Sequence, residues 1–170
     1  MSVKKKHWVN RMKSKRKITV LGIGNLLYSD EGVGIHILPL LEELLSPYEN
    51  VEVIEGSTDG IRLLGIIEET DYLIVVDAVN AGKDAGTIVT LVDDEIPAYF
   101  GIKMSIHQLG FQEVLFAAKI RETSPKHMIL FGVQPASLEL GLQLSPIVQA
   151  QLPQLAEKVV EQVKKWCEAL

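Results

Sequence analysis

Residues 18–37 read ITVLGIGNLLYSDEGVGIHI. An apolar run rich in β-branched residues opens the stretch and empties into Gly22, Ile23 and Gly24; two adjacent acids, Asp30 and Glu31, follow, and then a segment with helical spacing. Strand, tight turn and helix in that order open a βαβ unit, whose ligands gather beyond the carboxyl ends of the strands. A strand ending in Gly-x-Gly suggests a nucleotide cradle, yet the dinucleotide fingerprint needs a third glycine where this chain has Leu27. A Walker-type loop is absent as well, and acids near a helix N-terminus repel phosphate. The stretch therefore reads as a tight turn that delivers carboxylates to the rim of a sheet.

The alternation continues along the chain. VEVIEG (51–56) reads as a second strand, and YLIVVDAV (72–79) as a central one, because its nearly continuous apolar run fits a strand covered on both faces. GTIVTLVDD (86–94) alternates like an edge strand, while HMILFGVQP (127–135) again looks buried. Helical periods fill the gaps at 33–45, 59–69 and 109–120, and the clearest runs from Val148 to Leu170 at steps of three and four. Together they predict an α/β three-layer sandwich, a mostly parallel five-stranded sheet with helices on both faces. Pro39 inside the first helix predicts a kink or a later helix start.

A chain of 170 residues is about one domain, able to bury roughly 70% of its unfolded surface. Its 47% apolar content fits an ordinary core, and no run approaches the roughly 18 apolar residues of a membrane span. The single cysteine, Cys167, excludes an internal disulfide framework and fits a reducing, cytoplasmic home. Residues 1–17 hold eight of the 17 Lys and Arg and no acid, leaving a body of 9 basic against 22 acidic residues. Without an apolar segment after its charges, that stretch is no secretory signal. It reads as a basic, disordered extension, or as residues ahead of the working start, followed by one α/β domain over 18–170. The acidic body opposes nucleic acid as a partner, and no membrane partner is expected.

Beyond the strand ends lie Asn25, Asp30 and Glu31, then Glu55, Thr58 and Asp59, then Asp77, and finally Ser105, His107 and Gln108 at the start of a helix. Asp77 is the most informative, since a carboxylate in a central strand is costly unless something satisfies it. Its two readings are a cap for neighbouring backbone N–H groups and a functional acid. Glu31 has a plain alternative as a first-turn acid, which gains about 0.3–1 kcal/mol from the helix dipole. His107 has one as a helix-start histidine bonded to backbone. Taken together, two carboxylates and an imidazole form an O,O,N set suited to a divalent transition metal. His7, His36 and His127 lie in the tail, on a helix flank and at a strand entrance, and Cys167 reads as packing. A Gly-x-Ser-x-Gly elbow and a His-Glu-x-x-His pair are both missing.

The segment GIGNLLYSDEGVG resembles the signature of the hydrogenase maturation endopeptidases, which trim the large subunit of nickel-iron hydrogenases. EGSTDG (55–60) is similar to that family's acid-Gly-Gly-Thr-x-Gly segment, VVDAV (75–79) to its Asp-Ala strand end, SIHQLG (105–110) to its histidine motif and GVQP (132–135) to its last-strand turn. Ser57 stands where the family usually has glycine. The resemblance covers residues 18 to about 165. It implies that Glu31, Asp77 and His107 are the metal-binding and catalytic residues, and that the partner is a large-subunit precursor already loaded with nickel, which loses a C-terminal extension. Nickel would then be supplied by the substrate. Two other readings stand beside it, a non-enzymatic nickel-binding accessory module and a nucleotide-processing α/β enzyme.

Overall fold

The computed structural model describes residues 15–56, 60–102 and 106–169. Five strands, β1 (Ile18–Ile23), β2 (Val51–Gly56), β3 (Tyr72–Ala78), β4 (Ile88–Val92) and β5 (His127–Val133), form one sheet in the order β2-β1-β3-β5-β4. All pairings are parallel except that of β4 with β5. Every residue of β1 and β3 is buried, as continuous apolar runs demand of strands covered on both faces. The alternating β4 takes an edge, and there its antiparallel direction needs no crossover.

Side chains that alternate along β3 feed two separate cores. Tyr72, Ile74 and Val76 pack with α1 (Val33–His36), α2 (Leu38–Leu45) and the long α7 (Leu152–Glu168), through Val33, Ile37, Leu41, Leu155 and Val159. Leu73 and Val75 face α3 (Gly60–Glu69), α4 (Glu95–Ile102) and α5 (Ile106–Ile120), where Ile67, Ile96, Phe100, Phe111 and Val114 meet them. A short α6 (Pro146–Gln149) precedes α7. Three layers with helices on both faces are thus what the periodicity predicts. Helix α4 is the element the sequence does not announce. Its stripe is the single i, i+4 pair Ile96 and Phe100 with Pro97 between them, too short a pattern to stand out.

Pro39 settles where the first helix divides. The helix breaks at Ile37, and Pro39 falls in the first turn of α2, where a missing N–H leaves no bond unmade. At the other end of the sheet the basic stretch is tied in by its last residues. Lys17 N–H donates to Asp71 Oδ2 at 3.0 Å, and Arg16 Nη1 donates to Tyr72 Oη at 2.6 Å. Most of the stretch read as an extension, residues 1–14, lies outside the described residues.

Glycine decides how closely α1 rides on the sheet. A Cβ on Gly34 would stand 2.1 Å from the Ile23 carbonyl oxygen and 2.3 Å from that of Val76, and one on Gly22 would stand 2.0 Å from the Gly34 carbonyl oxygen. The Gly-Ile-Gly of β1 is therefore a packing surface for helix backbone.

Asp30 fixes the turn between them. Its buried carboxylate accepts hydrogen bonds from the Ala136, Ser137 and Ser145 amides at 2.8, 2.9 and 2.7 Å and from Ser145 Oγ at 2.8 Å. Burial alone would raise the carboxyl, but the bonds from Ser145, Ser137 and Ala136 together outweigh it and hold its pKa below the ordinary value.

Gly34→Ala should lose at least about 2 kcal/mol in urea unfolding, because the clash is with two backbone carbonyls that cannot step aside. Gly65→Ala on α3, with open space around it, should gain about 0.5–1 kcal/mol, and equal effects at the two sites would contradict the packing account. Asp30→Ala should cost about 3 kcal/mol near neutral pH by removing the acceptor of four charge-assisted hydrogen bonds that tie the loop after β5 to this turn. Since the folded pKa is depressed, the wild-type advantage is present above the ordinary carboxylate value and is lost as pH falls through the folded one. Denaturant melts of both proteins down the acid range would show the gap closing; a gap independent of pH would refute the assignment.

Candidate functional site

The carboxyl ends of β1, β3 and β5 open on one rim, and the loops that leave them are laced together. Ser29 N–H donates to the Gly141 carbonyl at 2.8 Å, its Oγ donates to the Glu139 carbonyl at 2.8 Å, and Gly141 N–H donates to the Leu27 carbonyl at 3.0 Å. Ser29 takes a left-handed φ of 45° to turn the chain there. Asn25, one of the rim candidates, makes the turn itself: its Oδ1 accepts from Leu27 N–H, and its own N–H donates to the Glu31 carbonyl.

The adjacent acids have parted company. Asp30 is consumed by the loop that follows β5, whereas Glu31 is half-buried on the 3₁₀ turn Ser29–Gly32, and burial raises its carboxyl pKa. Asp77 sits at the end of β3, fully buried, and its Oδ1 accepts the Ala78 N–H at 2.8 Å. That bond answers in part the need for a partner that a carboxylate in a central strand creates. Because β1 and β3 are neighbours and the 3₁₀ turn packs against β3, Glu31 and Asp77 come from adjoining positions on the rim.

His107 falls in the first turn of α5, and its side chain lies outside the described residues, as does that of Gln108. Thr58, Asp59 and Ser105 are likewise outside them. Glu55 is exposed at the end of β2. Among the described residues no three His, Cys, Asp or Glu side chains converge as a metal site. His36 rests against Gly32 with its Nε2 buried and without a hydrogen-bond partner, His127 stacks on Tyr72, and Cys167 packs beside the first core.

Two residues of this rim are not among the site candidates read from the sequence, although one of them, Gln134, stands in the GVQP segment. Tyr99 reaches it from α4: its hydroxyl accepts the Asn80 N–H at 3.1 Å, and burial, with the negative charge of Asp77 adding to it, raises the phenol pKa against the lowering effect of that bond. Gln134, buried just past β5, holds the loop that leaves β3. Its Oε1 accepts from Ala81 and Lys83 N–H at 2.9 and 3.1 Å, and its Nε2 donates to Asn80 Oδ1 at 3.3 Å. A glutamine after an apolar run is ordinary in sequence, and a tyrosine in an unannounced helix is invisible.

Comparison with known proteins points to one family. Residues 35–162 match the HycI family, described as hydrogenase maturation protease. The chain is similar to the hydrogenase expression/formation protein HupD of Rhodobacter capsulatus, 41% identical over 152 residues that span 88% of this chain and 72% of that one. It is also similar to the hydrogenase 2 maturation protease of Escherichia coli K12, 40% identical over 150 residues spanning 88% and 92%. Its fold matches the hydrogenase maturating endopeptidase HybD from E. coli with a TM-score of 0.81 at 38% identity, covering 88% and 93% of the two chains. With family model, sequence relatives and fold in agreement, this chain belongs to the hydrogenase maturation proteases.

Proposed function

We propose that this hydrogenase maturation endopeptidase removes the C-terminal extension of a nickel-loaded large-subunit precursor, and that Glu31, Asp77 and His107 are the residues that engage the nickel the precursor carries. The observation that supports this most is the division of labour on the rim. Asp30 is spent on structure, while Glu31 follows β1 and Asp77 lies at the end of the neighbouring parallel β3, where ligands of open α/β sheets bind. Carboxylate oxygens with an imidazole nitrogen suit a divalent transition metal, so the donor chemistry fits nickel. A bound cation there would position the scissile peptide and polarise its surroundings for attack by water.

This chain's own residues then set the order of events. Gln134 and Tyr99 hold the loop beyond Asp77, so the carboxylate meets an incoming peptide from a fixed place. The nucleotide reading loses its support, since the β1 glycines are closed off by helix backbone. No helix of the described residues is long and apolar enough to cross a membrane, and action on the precursor in the cytoplasm is part of the same proposal.

The test is a processing assay with nickel-loaded and nickel-free precursor, read by gel shift. The wild type should trim the loaded form alone. Asp77→Asn and Glu31→Gln should slow trimming by about 100-fold or more while melting stays within a few degrees of wild type. Full processing by Asp77→Asn would overturn the assignment. Tight nickel uptake by the protein alone, with no precursor trimmed, would favour a metal-carrying module instead.

A further inference from the structure

Leucines stand out in solvent on the two loops that Asp30 binds together. Leu27 is 57% exposed, Leu140 78% and Leu142 67%, with Leu26, Tyr28 and Leu138 at 40–46% beside them. Tyr28 and Gly141 form a parallel β-bridge, which sets Leu27 on one loop beside Leu140 and Leu142 on the other. Six large apolar side chains exposed together at one loop junction, outside the two buried cores, mark an interaction site.

The cluster is held rigidly. The buried Asp30 carboxylate, both bonds of Ser29 and the bridge pin one loop to the other directly beneath it. A preorganised apolar surface loses little entropy when covered. It is also continuous with the candidate active site. Glu31 N–H donates to the Tyr28 carbonyl at 3.0 Å and the Glu31 carbonyl accepts Asn25 N–H at 3.1 Å, so Leu26, Leu27 and Tyr28 are the body of the turn that ends in Glu31.

We infer that this two-loop platform docks the precursor itself, taking an aliphatic segment of its surface next to the scissile peptide and so holding the bond at the rim. The inference rests on the peptidase reading above. A second copy of this chain is the weaker occupant, because self-association here would cover the turn that presents Glu31 to substrate. Phe116 and Ile120, exposed on α5, are no part of the turn that ends in Glu31 and serve as the control surface.

The experiment measures affinity and turnover separately. Nickel-loaded precursor is immobilised, binding of the full chain is followed by interferometry, and trimming is followed in parallel. Leu27→Asp/Leu140→Asp should weaken binding by about 10-fold or more, with the loss in kcat/KM carried by KM, and Leu142→Asp should shift both in the same direction. Phe116→Asp/Ile120→Asp should bind as wild type does. Wild-type affinity in the platform variants, or equal weakening in the control, overturns the platform. If the wild type binds the precursor without trimming it, the peptidase reading fails while the affinity series still decides the platform; if it does not bind, the platform falls too. A dimer that dissociates only in the platform variants would assign the surface to self-association and overturn the inference.

Discussion

A single buried carboxylate joins the first turn of this protein to its last loop. Asp30 accepts four hydrogen bonds from a segment more than a hundred residues downstream, and in doing so it fixes the turn that carries Glu31, the loop that follows β5 and the apolar surface above both. A carboxylate shielded from solvent in this way is stable because each of its oxygens is met by donors. The rest of the rim inherits its geometry from that closure. Gln134 performs a similar service for the loop beyond β3 with neutral groups, so two polar hubs, one ionic and one amide, define the positions of the two acidic side chains.

Beneath the rim the constraint is steric. Backbone lies on backbone where Gly34 crosses β1 and β3, and no side chain larger than hydrogen fits between them. Close approach of α1 is what brings Glu31, at the head of that helix, level with Asp77 at the end of its neighbouring strand. The same glycines that suggest a phosphate cradle in the sequence are therefore committed to holding a helix near the sheet, and of the two acids beside them Asp30 is committed to the loop after β5.

How much of this the sequence discloses depends on how local its cause is. The continuous runs of β1 and β3, the alternation of β4 and the long period of α7 are visible because each element's burial is written in its own residues. Pro39 is legible for the same reason, although the break falls at Ile37 and leaves the proline inside the following turn. Family membership is legible because five motifs recur in order. Residue chemistry alone does not tell Asp30 from Glu31, and only the family resemblance picks Glu31, since the same chemistry stands at adjacent positions and what separates them in the fold is the distant Ala136–Ser145 segment. Tyr99 is hidden by a helix whose apolar stripe is two residues long, and it reaches the rim only through the packing of Phe100 and Ile96. Local physics thus reveals the sheet and two of its acids, while the selection between those acids is tertiary.

The anchoring of the chain's described ends has a practical side. Lys17 enters the sheet at the start of β1 bound to Asp71 and Tyr72, and at the far end of α7 Trp166 packs on Tyr72 while Cys167 approaches Asn50. Both ends are thus gathered at the pole opposite the rim. A bead, a fluorophore or a carrier held at that pole leaves the rim facing outward, and a large folded client can approach it without meeting the tether.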